Sequence, residues 1–103
     1  AYNTFELKEG EHSIPKGVRL LAAYPNPFNP IVNFDVELES EKLISVSIFN
    51  IKGEKVTDVF QGMLSQGLTT LSWNASGFSS GIYFINVQSQ GEIISSQKIS
   101  LLK

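Results

Sequence analysis

The chain has 103 residues, enough for one domain, and a composition that is 42% hydrophobic and 11% aromatic supplies a single core and argues against disorder. Lys plus Arg number 8 against 10 Asp plus Glu, so the net charge of -2 offers no basic field to nucleic acid or to an anionic membrane surface. The absence of cysteine excludes disulfides, thiolate metal sites and cysteine nucleophiles together.

No window holds the roughly 18 apolar residues of a membrane-spanning helix, and Ala1-Tyr2-Asn3-Thr4 lacks the charged and apolar regions of a signal peptide. An export signal would therefore lie on a larger precursor or in the C-terminal part of the chain. Residues Ala1 to Gly17 are polar around Gly10 and Pro15, with Phe5, Leu7 and Ile14 as the only anchors, and read as a tether from a preceding domain. A short strand around Phe5 and Leu7 is compatible with that reading.

Val18 to Tyr24 is predicted as a first strand, stopped by Pro25. The next stretch, Tyr24-Pro25-Asn26-Pro27-Phe28-Asn29-Pro30, is a stiff extended corner: each proline fixes φ, removes a donor and pushes the residue before it out of the helical region. Beyond it, Val32, Phe34, Val36 and Leu38 alternate with Asn33, Asp35, Glu37 and Glu39, the period of a strand with one wet face. Leu43 to Asn50 reads as another strand, with Ile44, Val46 and Ile48 on one face and Phe49 on the other. Asn50-Ile51-Lys52-Gly53 is a turn, and Val56, Val59 and Phe60 mark the return strand.

Gly62 to Gly67 is expected to be a longer link crossing between sheets. Thr69, Leu71 and Trp73 alternate again, Asn74 to Gly81 is a loop, and Ile82 to Val87 is a strongly β-prone run. Ser89-Gln90-Gly91-Glu92 is a hairpin turn, and Ile93 to Leu102 is the last strand. Roughly seven short strands with turn signals between them predict an all-β, antiparallel, immunoglobulin-like β-sandwich.

Little here resembles catalysis. The single histidine, His12, lies in the tether, where nothing would desolvate or orient it as base or ligand. Asp35, Glu37 and Glu39 share a strand face and have the oxygens a hard cation needs, but no Asp-rich loop accompanies them, so they read as a solvated face and no metal site is assigned. Trp73, Tyr83 and Phe78 have the chemistry of a sugar-stacking platform. Alternation with Leu71 favours the core for Trp73 and leaves Phe78 open. The prolines are better explained as a structural corner than as a ligand for proline-binding domains.

The order of these features resembles one family. Tyr24 to Pro30, Phe49-Asn50 followed by Gly53 and Val56, then Gly67, Trp73-Asn74, Gly81-Ile82-Tyr83-Phe84 and the final Lys98-Ile99-Ser100-Leu101-Leu102-Lys103 look like the type IX secretion system C-terminal sorting domain, type A. The resemblance implies a tether over residues 1–19 from a cargo domain and a sorting sandwich over 20–103. It implies no catalysis and no cofactor. Cargo of Bacteroidetes-like bacteria would reach the periplasm by an ordinary N-terminal signal and then the cell surface or medium. The implied partners are the outer-membrane type IX translocon, its shuttle protein and a sortase-like signal peptidase.

By the same resemblance, translocon recognition falls on Lys98, Leu101, Leu102 and Lys103, while Pro25, Asn26, Pro27, Gly53, Gly81 and Tyr83 are structural. A last strand at a sheet edge would offer unpaired backbone for strand addition. The alternative reading is an immunoglobulin-like accessory module that binds carbohydrate or packs on a neighbouring enzyme domain. A small hydrolase is the least favoured, for want of a base near any nucleophile.

Overall fold

The computed structural model describes residues 17–103, and the tether residues before Gly17, including His12 and the strand expected around Phe5 and Leu7, lie outside them. Seven strands follow: β1 (Val18–Leu20), β2 (Ile31–Leu38), β3 (Lys42–Asn50), β4 (Lys55–Leu64), β5 (Gly67–Asn74), β6 (Gly81–Ser89) and β7 (Glu92–Leu101). They form two antiparallel sheets, ordered β1-β2-β5 and β4-β3-β6-β7. This is the expected immunoglobulin-like sandwich, with the fourth strand paired in the larger sheet. β1 spans the expected boundary between residues 19 and 20.

Period-two patterning decides which residues form the core. Val32, Phe34, Val36 and Leu38 from β2 face Ile44, Val46 and Ile48 from β3 and Ile85, Val87, Ile99 and Leu101 from β6 and β7, all buried. Burial of side chains of this size contributes about 1.5–3 kcal/mol each. Three strand positions carry an extra residue. Val56, Val59 and Ile94 stand unmatched at register shifts, and each is packed against the core, so the bulges add apolar cover while bending the strands.

The turns follow their chemistry. Asn50 accepts from the Lys52 and Glu54 N–H groups through Oδ1 at 2.9 and 3.0 Å, and Gly53 takes the positive φ of +85° that closes the hairpin. Between β6 and β7, Gln90 and Gly91 both have positive φ, +54° and +78°, which is a type I′ turn.

Two expectations are corrected. The link predicted over Gly62 to Gly67 shrinks to Ser65 and Gln66, because Leu64 is buried in the core and carries β4 to that point. The single strand predicted over Val18 to Tyr24 is interrupted after Leu20: the Ala23 N–H turns to the Gln97 side chain on the other sheet, and Tyr24 then rejoins β2 by exchanging two 2.8 Å bonds with Asn33.

The register sets a polarity. Val18, Leu38 and Gly67 lie together at one pole, where the described chain enters, whereas residues 24–31, 50–54, 74–81 and 101–103 gather at the other.

Candidate functional site

At that second pole the prolyl corner lies along the outer edge of β7. Main-chain bonds join them where they touch: Phe28 donates to Ser100 O at 2.9 Å, and Leu102 donates back to Phe28 O at 3.0 Å. Where the two backbones are further apart, side-chain amides take the place of peptide groups. Asn26 Oδ1 accepts from Ser100 N at 3.0 Å and its Nδ2 donates to Lys98 O at 3.3 Å. Gln97 Oε1 accepts from Ala23 N at 2.6 Å while Nε2 donates to Leu21 O at 3.3 Å. Residues 21–28 thus form a clasp that ties the first sheet to the last strand of the second.

This corrects the expectation of an open edge along the end of β7. From Lys98 to Leu102 the outward backbone groups Lys98 O, Ser100 N, Ser100 O and Leu102 N are already bonded to the corner. Gln97 was not singled out from the sequence, and neither was Ser80, whose hydroxyl accepts from Lys103 N at 3.1 Å. An amide side chain between polar neighbours gives no signal until the facing edge is known.

Beneath the clasp is an aromatic cluster. The Trp73 ring lies 5.8 Å from Phe28, 5.4 Å from Phe78 and 5.4 Å from Tyr83, in tilted and edge-on arrangements favoured by ring quadrupoles. Phe28, Trp73 and Tyr83 are buried, so the faces a sugar platform would need are already covered. The Tyr83 hydroxyl donates to Ser79 O at 2.7 Å, four residues back in the loop that enters β6. This is a tyrosine corner, the device that fixes the crossing loop of immunoglobulin-like sandwiches.

The residues expected to carry recognition divide by exposure. Lys98, Leu102 and Lys103 are exposed, Leu102 at 57%, whereas Leu101 is 1% exposed and belongs to the core. Pro25, Asn26 and Pro27 are exposed beside them, and all three Xaa-Pro bonds of the corner are cis. The structure therefore places the corner and the terminal residues on one surface. Gly81 pairs with Leu101 and Tyr83 with Ile99 on the neighbouring strand, while Gly53 sits in the β3–β4 turn at the same pole.

The carboxylates on β2 are tied into separate contacts. Asp35 accepts from Thr70 Oγ1 at 2.7 Å, and Glu37 pairs with the Arg19 guanidinium on β1. Across the molecule, Asp58 accepts from Ser47 Oγ at 2.7 Å and pairs with Lys55 at 3.2 Å. The Ser47 hydroxyl first, then Lys55, hold its carboxyl below the ordinary aspartate value.

The described residues thus form an immunoglobulin-like sandwich with a strapped terminal strand, exposed lysines at its end and an aromatic cluster packed beneath the clasp. The family model for the secretion system C-terminal sorting domain matches residues 22–101, and the chain belongs to this type IX sorting family. The family is non-catalytic and serves export to the cell surface or medium, with the secretion machinery and a cargo as partners. None of the curated proteins compared matches the chain. Among solved structures, the Pseudomonas fluorescens alkylpurine DNA glycosylase AlkC, bound to DNA containing an abasic site analog, is similar at 15% identity with a TM-score of 0.49. That likeness covers 84% of this chain, which spans 31% of the glycosylase chain.

Proposed function

We propose that this chain is a non-catalytic C-terminal sorting signal that directs a larger cargo protein across the outer membrane through the type IX system. The family match over residues 22–101 is the observation that carries this reading. The cargo crosses the periplasm in transit, and the outer-membrane translocon and shuttle protein take hold of the pole formed by Lys98, Leu102 and Lys103 beside Pro25, Asn26 and Pro27. Leu101 serves that surface from below, as the buried anchor that keeps Leu102 and Lys103 in place. A sortase-like signal peptidase would separate cargo from signal before Leu20, away from the gripped pole.

The physical support is the pairing of chemistry at that pole. Two exposed cations flank an exposed leucine, and the backbone beneath is held by the clasp, so a partner meets an ordered surface and spends little binding energy on ordering it.

The test fuses the chain behind a reporter with a periplasmic export signal, in a bacterium with a working type IX system and in its translocon mutant. Deleting Lys98 to Lys103 would remove Ile99 and Leu101 from the core and confound folding with recognition. The exposed variants Leu102→Ser and Lys103→Glu avoid this. Export that requires the translocon and is lost in these folded variants supports the reading, and a reporter that remains periplasmic with every fusion refutes it.

A further inference from the structure

The two sheets end in four outer strand edges, and three of them are guarded. β1 is three residues long and carries Arg19; β4 carries Lys55, Asp58 and two register shifts; β7 is strapped by the clasp over Lys98 to Leu102. The fourth edge is β5, Gly67-Leu68-Thr69-Thr70-Leu71-Ser72-Trp73-Asn74. It has eight residues with no charge, no proline and no register shift against β2.

Hydrogen-bond alternation shows which of its backbone groups face outward. Ala75 N donates to Pro30 O at 2.8 Å, so the pairs Trp73–Val32, Leu71–Phe34 and Thr69–Val36 are the bonded ones. On the far side of β2 the same alternation leaves Asn33 to bond Tyr24 and Asp35 O to accept from Leu21. On β5 it turns the N–H and C=O groups of Leu68, Thr70, Ser72 and Asn74 away from β2, where no described strand pairs with them.

We propose that this edge is a self-association surface on which β5 of one copy pairs antiparallel with β5 of a second. The twofold axis passes by Leu71, and the two three-stranded sheets become one of six strands. In this register Leu68 faces Asn74 and Thr70 faces Ser72 as bonded pairs, while Leu71 meets its own copy and Thr69 meets Trp73 on the core side. A second copy suits the edge because an uncharged strand meets its inverted self without opposing like charges, and because the same patch serves both sides of a closed twofold contact. Pairing also covers Leu71 and Thr69, which are only half-buried at the open side of the sandwich.

Sedimentation equilibrium of the chain over a wide concentration range, with amide hydrogen exchange on the same samples, tests this. A reversible dimer is expected, with slowed exchange at Leu68, Thr70, Ser72 and Asn74 as concentration rises. Ser72→Pro removes one outward donor per copy, hence two bonds per dimer, and should weaken association about thirtyfold. Since that N–H makes no bond within the sandwich, the monomer should keep its fold. Ser72→Lys, at an exposed position, sets two cations at diagonal positions beside the twofold axis, should weaken association in the same direction, and decides the matter if the proline variant misfolds. A chain that stays monomeric throughout overturns the proposal, whether or not β5 accepts a strand from another protein. So does a dimer insensitive to the folded variants, or one whose protection appears on β4 or β7 instead.

Discussion

Replacing Asn26 by alanine tests whether the clasp holds the last strand. The substitution removes the acceptor 3.0 Å from Ser100 N and the donor 3.3 Å from Lys98 O, and leaves Phe28 and Gln97 in place. At a net value of about 0.5–1.5 kcal/mol per bond, and with the site exposed to water that can replace the partners, the loss should be about 1–2 kcal/mol. For a domain of this size that lowers Tm by roughly 4–8 °C per kcal/mol. Urea unfolding monitored by Trp73 fluorescence measures the free energy, and amide exchange at Ser100 reports the strand directly. Asn29→Ala is the control: it also precedes a proline and is exposed, but its side chain makes none of these bonds. Equal stability for the two variants, with Ser100 exchange unchanged in Asn26→Ala, would refute the claim that the side-chain amide substitutes for a peptide group on the β7 edge.

Three further outcomes follow from single contacts. Tyr83→Phe keeps the ring against Trp73 but removes the 2.7 Å bond to Ser79 O, and should cost about 0.5–1.5 kcal/mol in urea unfolding with little change in the slope. Gly53→Ala meets no atom within 4 Å, so its cost is the positive φ alone, roughly 1 kcal/mol by the same assay, and Gly53→Asn should lose less. Asp58 contributes stability above its unfolded pKa, and this is lost as pH falls through the lower folded value. Acid titration of stability should therefore show a loss below the ordinary aspartate range that Ser47→Ala and Asp58→Asn both diminish.

Much of the fold was legible because a half-buried strand writes its geometry into alternate residues. Val32, Phe34, Val36 and Leu38 announce β2, and Asn50 to Gly53 announces its hairpin through residues whose own chemistry closes turns. Gly62 misled because glycine usually punctuates; here it pairs with Ile44 inside β4 at a φ of +155°, and buried Leu64 carries the strand past it. Leu101 and Leu102 look alike in sequence, yet the two-residue period puts one in the core and the other in solvent. The exposed half of the candidate site, Lys98, Leu102 and Lys103, came from the family pattern. Its junction with the prolyl corner had no local signal.

The amino-acid order by itself determined the strand count, the inward faces and the turns, since these depend on interactions within a few residues. Tertiary structure alone decided which edges remain open, that Asn26 and Gln97 would act as surrogate peptide groups, and that no described strand would pair with the outer side of β5. Those outcomes depend on which backbones meet across the sandwich, and hydrogen-bond demand at an edge has no value until the neighbouring chain has arrived.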